Sequence, residues 1–131
     1  MIDRLVVDAN AAIDLLRPRR PDPPPLREAN TIVLPLPVLG ELLAGAMVST
    51  TRQLNLDRVL ELRERSEMLT PDEATAHVYG RIRAATGNVH PVGMSKLNDL
   101  WIAALCVQHN LPLLTNDRGF DDIAGLTVLH W

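Results

Sequence analysis

A chain of 131 residues that is 47% hydrophobic and 22% charged has room for one compact domain with its own core, and residues 1–131 are expected to form it. Aromatic residues make up only 3%, so that core must be aliphatic, and the lone Cys106 excludes an internal disulfide and suits a reducing compartment. A net charge of −3 excludes a passive basic coat on nucleic acid, but not an enzyme that meets phosphates through bound cations.

The opening MIDRLVVDANAAIDLLRPRR is interrupted by Asp3, Arg4, Asp8 and Asp14, which a signal peptide would not tolerate. No stretch approaches the roughly 20 apolar residues that cross a bilayer. A cytoplasmic protein without a membrane partner is therefore expected.

Arg4 to Val7 (RLVV) reads as a buried strand ending at Asp8. Asn10 is placed to cap a short helix through Leu16. The run RPRRPDPPPL predicts an extended loop from Arg17 to Pro25, because proline fixes φ and lacks an N–H. Thr31 to Leu34 (TIVL) predicts a second strand. Pro37 suits the first position of a helix, VLGELLAGAM, whose apolar character predicts burial on most sides.

Thr51 to Glu67 reads as an amphipathic helix carrying Leu54, Leu56, Val59, Leu60 and Leu62 among arginines and acids. Met68 to Thr70 reads as a short strand, and Pro71 opens a helix ending near Gly87. The segment NVHPVGM, Asn88 to Met94, predicts a loop. Lys96 to His109 is a strongly apolar helix, Pro112 to Thr115 a strand, Gly119 part of a turn, and Thr127 to Leu129 a last strand. Strands alternating with helices imply parallel pairing in a layered α/β domain.

The informative residues are acids in apolar company. Asp8 follows Leu5–Val6–Val7 and Asp117 follows Leu113–Leu114–Thr115–Asn116, each at the carboxyl end of a strand. Ligands of open α/β sheets gather there, where strand order reverses, so neighbouring first and late strands would set the two acids across one crevice. Glu41 in PVLGELLAGA and Asp99 in KLNDLWIAAL stand early in apolar helices. A buried carboxylate must be paired, neutralised or bound to a cation, and Lys96 and Arg118 are the few bases close in sequence.

Each acid alone has a plainer reading: Asp8 a cap, Glu41 a side chain reaching water, Asp99 a residue favoured by a helix N-terminus, Asp117 a turn residue. A bound hard cation accounts for all four together. Oxygen donors without a Cys or His cluster suit Mg²⁺ or Mn²⁺ rather than zinc, and His77, His90, His109 and His130 show no metal-ligand spacing. No Ser–His–Asp or Cys–His arrangement supports covalent catalysis, and Cys106 sits mid-helix among core residues.

The same pattern resembles a known family. LVVDANAAIDLL resembles the opening strand of PIN domains, PVLGELLAGA their second acidic helix, and NDLWIAALCVQHNLPLLTNDRGFDDIAGLTV their closing helix–strand block. Small chains of this kind resemble the VapC-like toxins of bacterial toxin–antitoxin pairs. The resemblance implies a three-layer fold, with a short parallel sheet of four to five strands flanked by helices.

It also implies a metal-dependent endoribonuclease that uses one or two Mg²⁺ or Mn²⁺ ions. Asp8, Glu41, Asp99 and Asp117 match the family's acidic metal-binding set, and Asn10, Thr115 and Asn116 its supporting polar positions. The implied partners are RNA, a cognate antitoxin protein whose segment covers the active-site groove, and a second copy of the chain. Two departures stand out: Gly119 replaces an acid often found before Phe120, and the proline-rich loop after Arg17 is unusually stiff.

In the mechanism this suggests, Asp8 and Asp99, with Asp117 directly or through water, hold the ion. Glu41 holds a second ion or orients the attacking water, and Asn10 and Thr115 orient the ligands. Arg17, Arg19, Arg20 and Arg118 are candidate phosphate contacts at the mouth. A PIN nuclease in RNA processing outside toxin–antitoxin biology and a non-catalytic PIN-like binding module are the alternatives. A response-regulator receiver would need an acid adjacent to the first one, where Ala9 and Asn10 stand. An Asp-x-Asp phosphatase fails because its third residue is Asn10. Leu39, Leu43, Met47, Leu54 and Val59 could face partners, although core positions are expected for most of them.

Overall fold

Parallel strands carry the architecture, as the alternation of elements predicts. The computed structural model describes residues 1–17, 21–86 and 94–131. Among these, strands β1 (Ile2–Val7), β2 (Ala29–Pro35), β3 (Glu67–Leu69), β4 (Leu113–Leu114) and β5 (Val128–Leu129) form one five-stranded sheet in the order β3-β2-β1-β4-β5. Every pairing is parallel. The chain moves outward from β1 through β2 to β3, then returns to the other side of β1 with β4 and β5. Strand order therefore reverses between β1 and β4.

The helices are α1 (Ala9–Leu16), α2 (Pro24–Glu28), α3 (Leu36–Met47), α4 (Arg52–Glu64), α5 (Glu73–Ala85) and α6 (Met94–His109). α1, α3 and α4 pack together, α5 packs on α6, and α3 also meets α6. Leu5, Val6, Val7, Val33, Leu34, Leu113 and Leu114 are buried strand residues, covered by Leu100, Ile102, Leu105 and Phe120 among others. Across the sheet, Arg4 on β1 reaches past β2 and donates to Glu67 on β3 through Nε at 2.9 Å and Nη2 at 2.6 Å. That paired bond holds Glu67 below the usual carboxylate range.

Chain reversals use the local chemistry expected of them. Asp72 caps α5 in a reciprocal box with Thr75, at 2.9 and 3.0 Å. Asn110, just past α6, takes the left-handed φ of 53° that asparagine tolerates better than most residues.

Several expectations need correction. Asp8, not Asn10, caps α1, because the chain turns as soon as β1 ends: Asp8 is extended and its side chain accepts from the Ala11 N–H. The proline run is not wholly extended; Pro24 starts α2, where its missing N–H is harmless. α4 stops at Glu64 rather than Glu67, since the Ser66 hydroxyl bonds back to the Leu62 carbonyl at 2.6 Å and Glu67 joins the sheet.

α3 is less buried than its composition predicts. Val38, Leu42 and Ala46 form one buried stripe, Leu39 and Leu43 are half-buried, and Leu36 and Met47 open to solvent. On α4, Val59 is core but Leu54 is exposed. The predicted loop from Asn88 lies outside the described residues, apart from Met94, which begins α6.

Leu114 is fully buried and pairs with Val7 at the sheet's point of reversal. Leu114→Ala should cost about 2–5 kcal/mol of stability, read by urea unfolding. A loss well under 1 kcal/mol would contradict the central place given to this pair.

Candidate active site

The site is built where β1 and β4 end side by side. Val6 pairs with Leu113 and Val7 with Leu114, so the next residues, Asp8 and Thr115, emerge together. Asp8 is 4% exposed and Thr115 fully buried. Asp8 Oδ1 accepts from the Ala11 N–H at 2.9 Å, and Oδ2 accepts a short hydrogen bond from the Thr115 hydroxyl. The same hydroxyl accepts from the Asp117 N–H at 3.0 Å. One threonine oxygen thus joins the two turns that carry Asp8 and Asp117.

Burial pushes the Asp8 carboxyl above the ordinary aspartate value. The bonds from Thr115 and Ala11 oppose that shift, and the negative charge of Asp117 adds to it. Asp117 is exposed at its tip and caps the 3-10 turn Arg118–Phe120, accepting from the Gly119 N–H at 2.8 Å. Asp99 on α6 and Asp117 both line a small cleft of about 10 Å³, together with Leu100, Phe120 and Ile123. That is about the room one water needs. Because α6 begins at Met94, Asp99 lies beyond its first turn, where the favourable effect of a helix N-terminus has largely faded.

Glu41 approaches from another side. It is half-buried on α3, and its Oε1 accepts from Asn98 Nδ2 at 2.7 Å, which ties it to the residue beside Asp99. It also lines a groove of about 430 Å³ between α1, α3 and α4, whose walls include Ile13, Leu16 and Val59. Asn10 stands at the groove's inner end and donates to Asn116 Oδ1 at 3.3 Å, linking α1 to the turn after β4.

The structure thus brings Asp8, Thr115, Asn116 and Asp117 together, places Asp99 and Asp117 on one small cleft, and leaves Glu41 connected through Asn98. Among the described residues no three of His, Cys, Asp and Glu converge into a ready coordination shell. The donors are nonetheless all hard oxygens, carboxylate, hydroxyl and amide. Oxygen donors of this kind fit Mg²⁺ or Mn²⁺, which keep several water ligands.

Arg17 lines the groove and lies 3.8 Å from Asp14. Arg118 is mostly exposed and lies 3.8 Å from Asp121. Arg19 and Arg20 lie outside the described residues, as does the side chain of Lys96. Cys106 is buried, and burial, with the charge of Asp8 added, pushes its thiol well up, which removes it as a nucleophile.

Sequence reasoning missed Asn98 and Arg58. Asn98 was signalled only by its place next to Asp99. Arg58 lines the groove but stands in a helix already rich in arginine.

Comparison with known proteins places this geometry. The sequence profile of the PIN domain family matches residues 5–126, and the chain belongs to that family. Ribonuclease VapC5 of Mycobacterium tuberculosis (strain ATCC 25618 / H37Rv) is 33% identical over 107 residues, covering 78% of this chain and 70% of that protein. A chain of the DNA-bound VapBC of Salmonella typhimurium superposes with a TM-score of 0.81 at 28% identity, covering 100% of this chain and 99% of that one. A chain of VapBC2 of Rickettsia felis, bound to a DNA fragment from its promoter, gives a TM-score of 0.81 at 25% identity, with 98% of each chain covered.

The raised Asp8 carboxyl carries a sign that can be checked. The folded chain holds the Asp8 proton more tightly than the unfolded chain, so rising pH removes stability between the unfolded and folded values. Above that window the loss is constant. In EDTA at neutral pH, Asp8→Asn should therefore raise the melting temperature by a few degrees, since asparagine caps a helix as well as aspartate does. Near pH 3 the two proteins should converge. A lower melting temperature for the variant at pH 7 would contradict the assignment.

Proposed function

We propose that this protein is a divalent-metal-dependent endoribonuclease and the toxin of a toxin–antitoxin pair. The observation that carries the reading is the buried Asp8, hydrogen-bonded to Thr115 beside Asp117 where strand order reverses, in a chain of the PIN domain family. Asp8, Asp99 and Asp117 would hold Mg²⁺ or Mn²⁺, with Glu41 serving a second ion or the attacking water. When bound, such an ion supplies a deprotonated water at neutral pH and offsets negative charge on the phosphate.

The chain's own residues do the rest. Thr115 and the Ala11 N–H each occupy one oxygen of Asp8, which fixes the carboxylate's plane and leaves its remaining lone pairs for a ligand. The Asn10–Asn116 bond holds α1 against the turn that bears Asp117. Glu41, oriented by Asn98, faces the wide groove along which RNA would lie. Arg17 at the groove and Arg118 beside Asp117 would meet phosphates on either side of the cut.

A protein antitoxin is the partner that the VapBC relatives support. The groove between α1, α3 and α4, apolar along Ile13, Leu16 and Val59 and bordered by Arg17, Arg58 and Glu41, is where its segment would cover the acids. The exposed Met47, Leu54 and Leu60 support self-association into a homodimer. Cytoplasmic residence suits an RNA target. Among the described residues no helix is long and apolar enough to cross a membrane.

Purified protein incubated with mixed RNA should cleave it in Mg²⁺ or Mn²⁺ and stop in EDTA. Asp8→Asn and Asp99→Asn should each lower the rate by at least about 100-fold, since loss of supporting groups alone costs roughly 10–100-fold. Equal behaviour of wild type and both variants across many RNAs would overturn the catalytic reading.

A further inference from the structure

Thr115 is held at every polar atom. Its N–H donates to the Leu129 carbonyl at 3.0 Å, which closes the β4–β5 ladder. Its hydroxyl bridges Asp8 and the Asp117 N–H. Its carbonyl faces Nδ1 of His130 at 2.9 Å. A carbonyl can only accept, so Nδ1 carries the proton of that bond. On the far side of the ring, Nε2 lies 2.7 Å from Asp121 Oδ1, an ion pair when the ring carries its second proton. The imidazole is 21% exposed and gripped between the end of β4 and the turn after Phe120.

The position of this grip gives it consequence. β4 is two residues long, and the ladder with β5 ends at Thr115. The following peptide has left the sheet, yet it sets the path of the chain into Asp117, whose N–H meets the Thr115 hydroxyl. A free carbonyl there would let that peptide rotate and carry Asp117 away from the hydroxyl. Supporting groups that fix a ligand's orientation change affinity for what the ligand holds without touching it.

We infer that His130 is a positioning residue for the acidic crevice, fixing through the Thr115 carbonyl the peptide that leads the chain into Asp117. The inference rests on the nuclease reading of that crevice and adds to it a residue from β5's far end. His130 is not among the residues lining the groove, so it should affect the acids and leave RNA capture alone. Asp121 acts one step further out, by holding the ring in place.

The test compares wild type, His130→Ala, His130→Asn and Asp121→Ala, all first melted in EDTA to establish that each is folded. Mn²⁺ affinity is read by calorimetry, and kcat and KM by RNA cleavage. His130→Ala should weaken Mn²⁺ binding and lower kcat by roughly 10-fold or more, with KM for RNA within about twofold. His130→Asn, whose amide N–H reaches where Nδ1–H did, should recover most of both, and Asp121→Ala should show a smaller loss in the same direction.

A merely structural role would lower the melting temperature of His130→Ala while leaving Mn²⁺ affinity and kcat of the folded protein unchanged, and that result would overturn the inference. If His130→Ala does not fold, His130→Asn and Asp121→Ala decide it: wild-type Mn²⁺ affinity and kcat in Asp121→Ala alongside losses in His130→Asn would count against it. Wild type that neither binds Mn²⁺ nor cleaves RNA removes the nuclease reading and this inference together. Intact wild-type activity with indifferent variants removes this inference alone.

Discussion

Two residue pairs, Val6 with Leu113 and Val7 with Leu114, hold the short β4 against β1 where the sheet changes direction. Everything at the site hangs on that juncture. Because the strands are parallel and in register, their carboxyl ends finish together, and Asp8 and Thr115 leave the sheet side by side. No loop has to find the other: a sheet ladder over a hundred residues apart in sequence brings the two turns together. The buried leucines and valines beneath them make the placement rigid, since a core packed at solid density resists displacement of the atoms above it.

That rigidity has an electrostatic cost. Asp8 is buried deeply enough for its charged form to be disfavoured, and the neighbouring charge of Asp117 adds to the burden. Two hydrogen bonds, from Thr115 and Ala11, offset part of it. The folded chain therefore holds an acid whose charged form its surroundings disfavour. A site that holds local instability for the sake of what it binds is a familiar feature of active sites. The bond between Asn98 and Glu41 does for α3 and α6 what Thr115 does for the strand ends, linking acids that come from separate elements.

Much of this was legible in the sequence because apolar β-branched runs are unambiguous when short. RLVV and TIVL are strands in the structure, and the acids that follow the first and fourth strands stand at their ends. What the sequence could not express was which strand lies beside which. Asp8 and Asp117 face one crevice only because β4 returns to β1, and that order is a property of the whole sheet. Burial of α3 was overread for a related reason: its composition is apolar all round, but only the Val38–Leu42–Ala46 stripe has a neighbour to cover it. Asn98 was hidden because its target, Glu41, is 57 positions away. Proline in a run of prolines signals a break, but Pro24 stands at a helix's first position, where it is a starter.

The most direct test of the account is the location of a divalent ion. Crystals of the protein grown or soaked with Mn²⁺ would show it by anomalous scattering, independently of any substrate. The account predicts a peak within coordination distance of Asp8, at about 2.0–2.6 Å, reached also by Asp99 or Asp117 directly or through water. Saturating Mn²⁺ with no peak at Asp8, or peaks confined to surface carboxylates away from the strand ends, would contradict it.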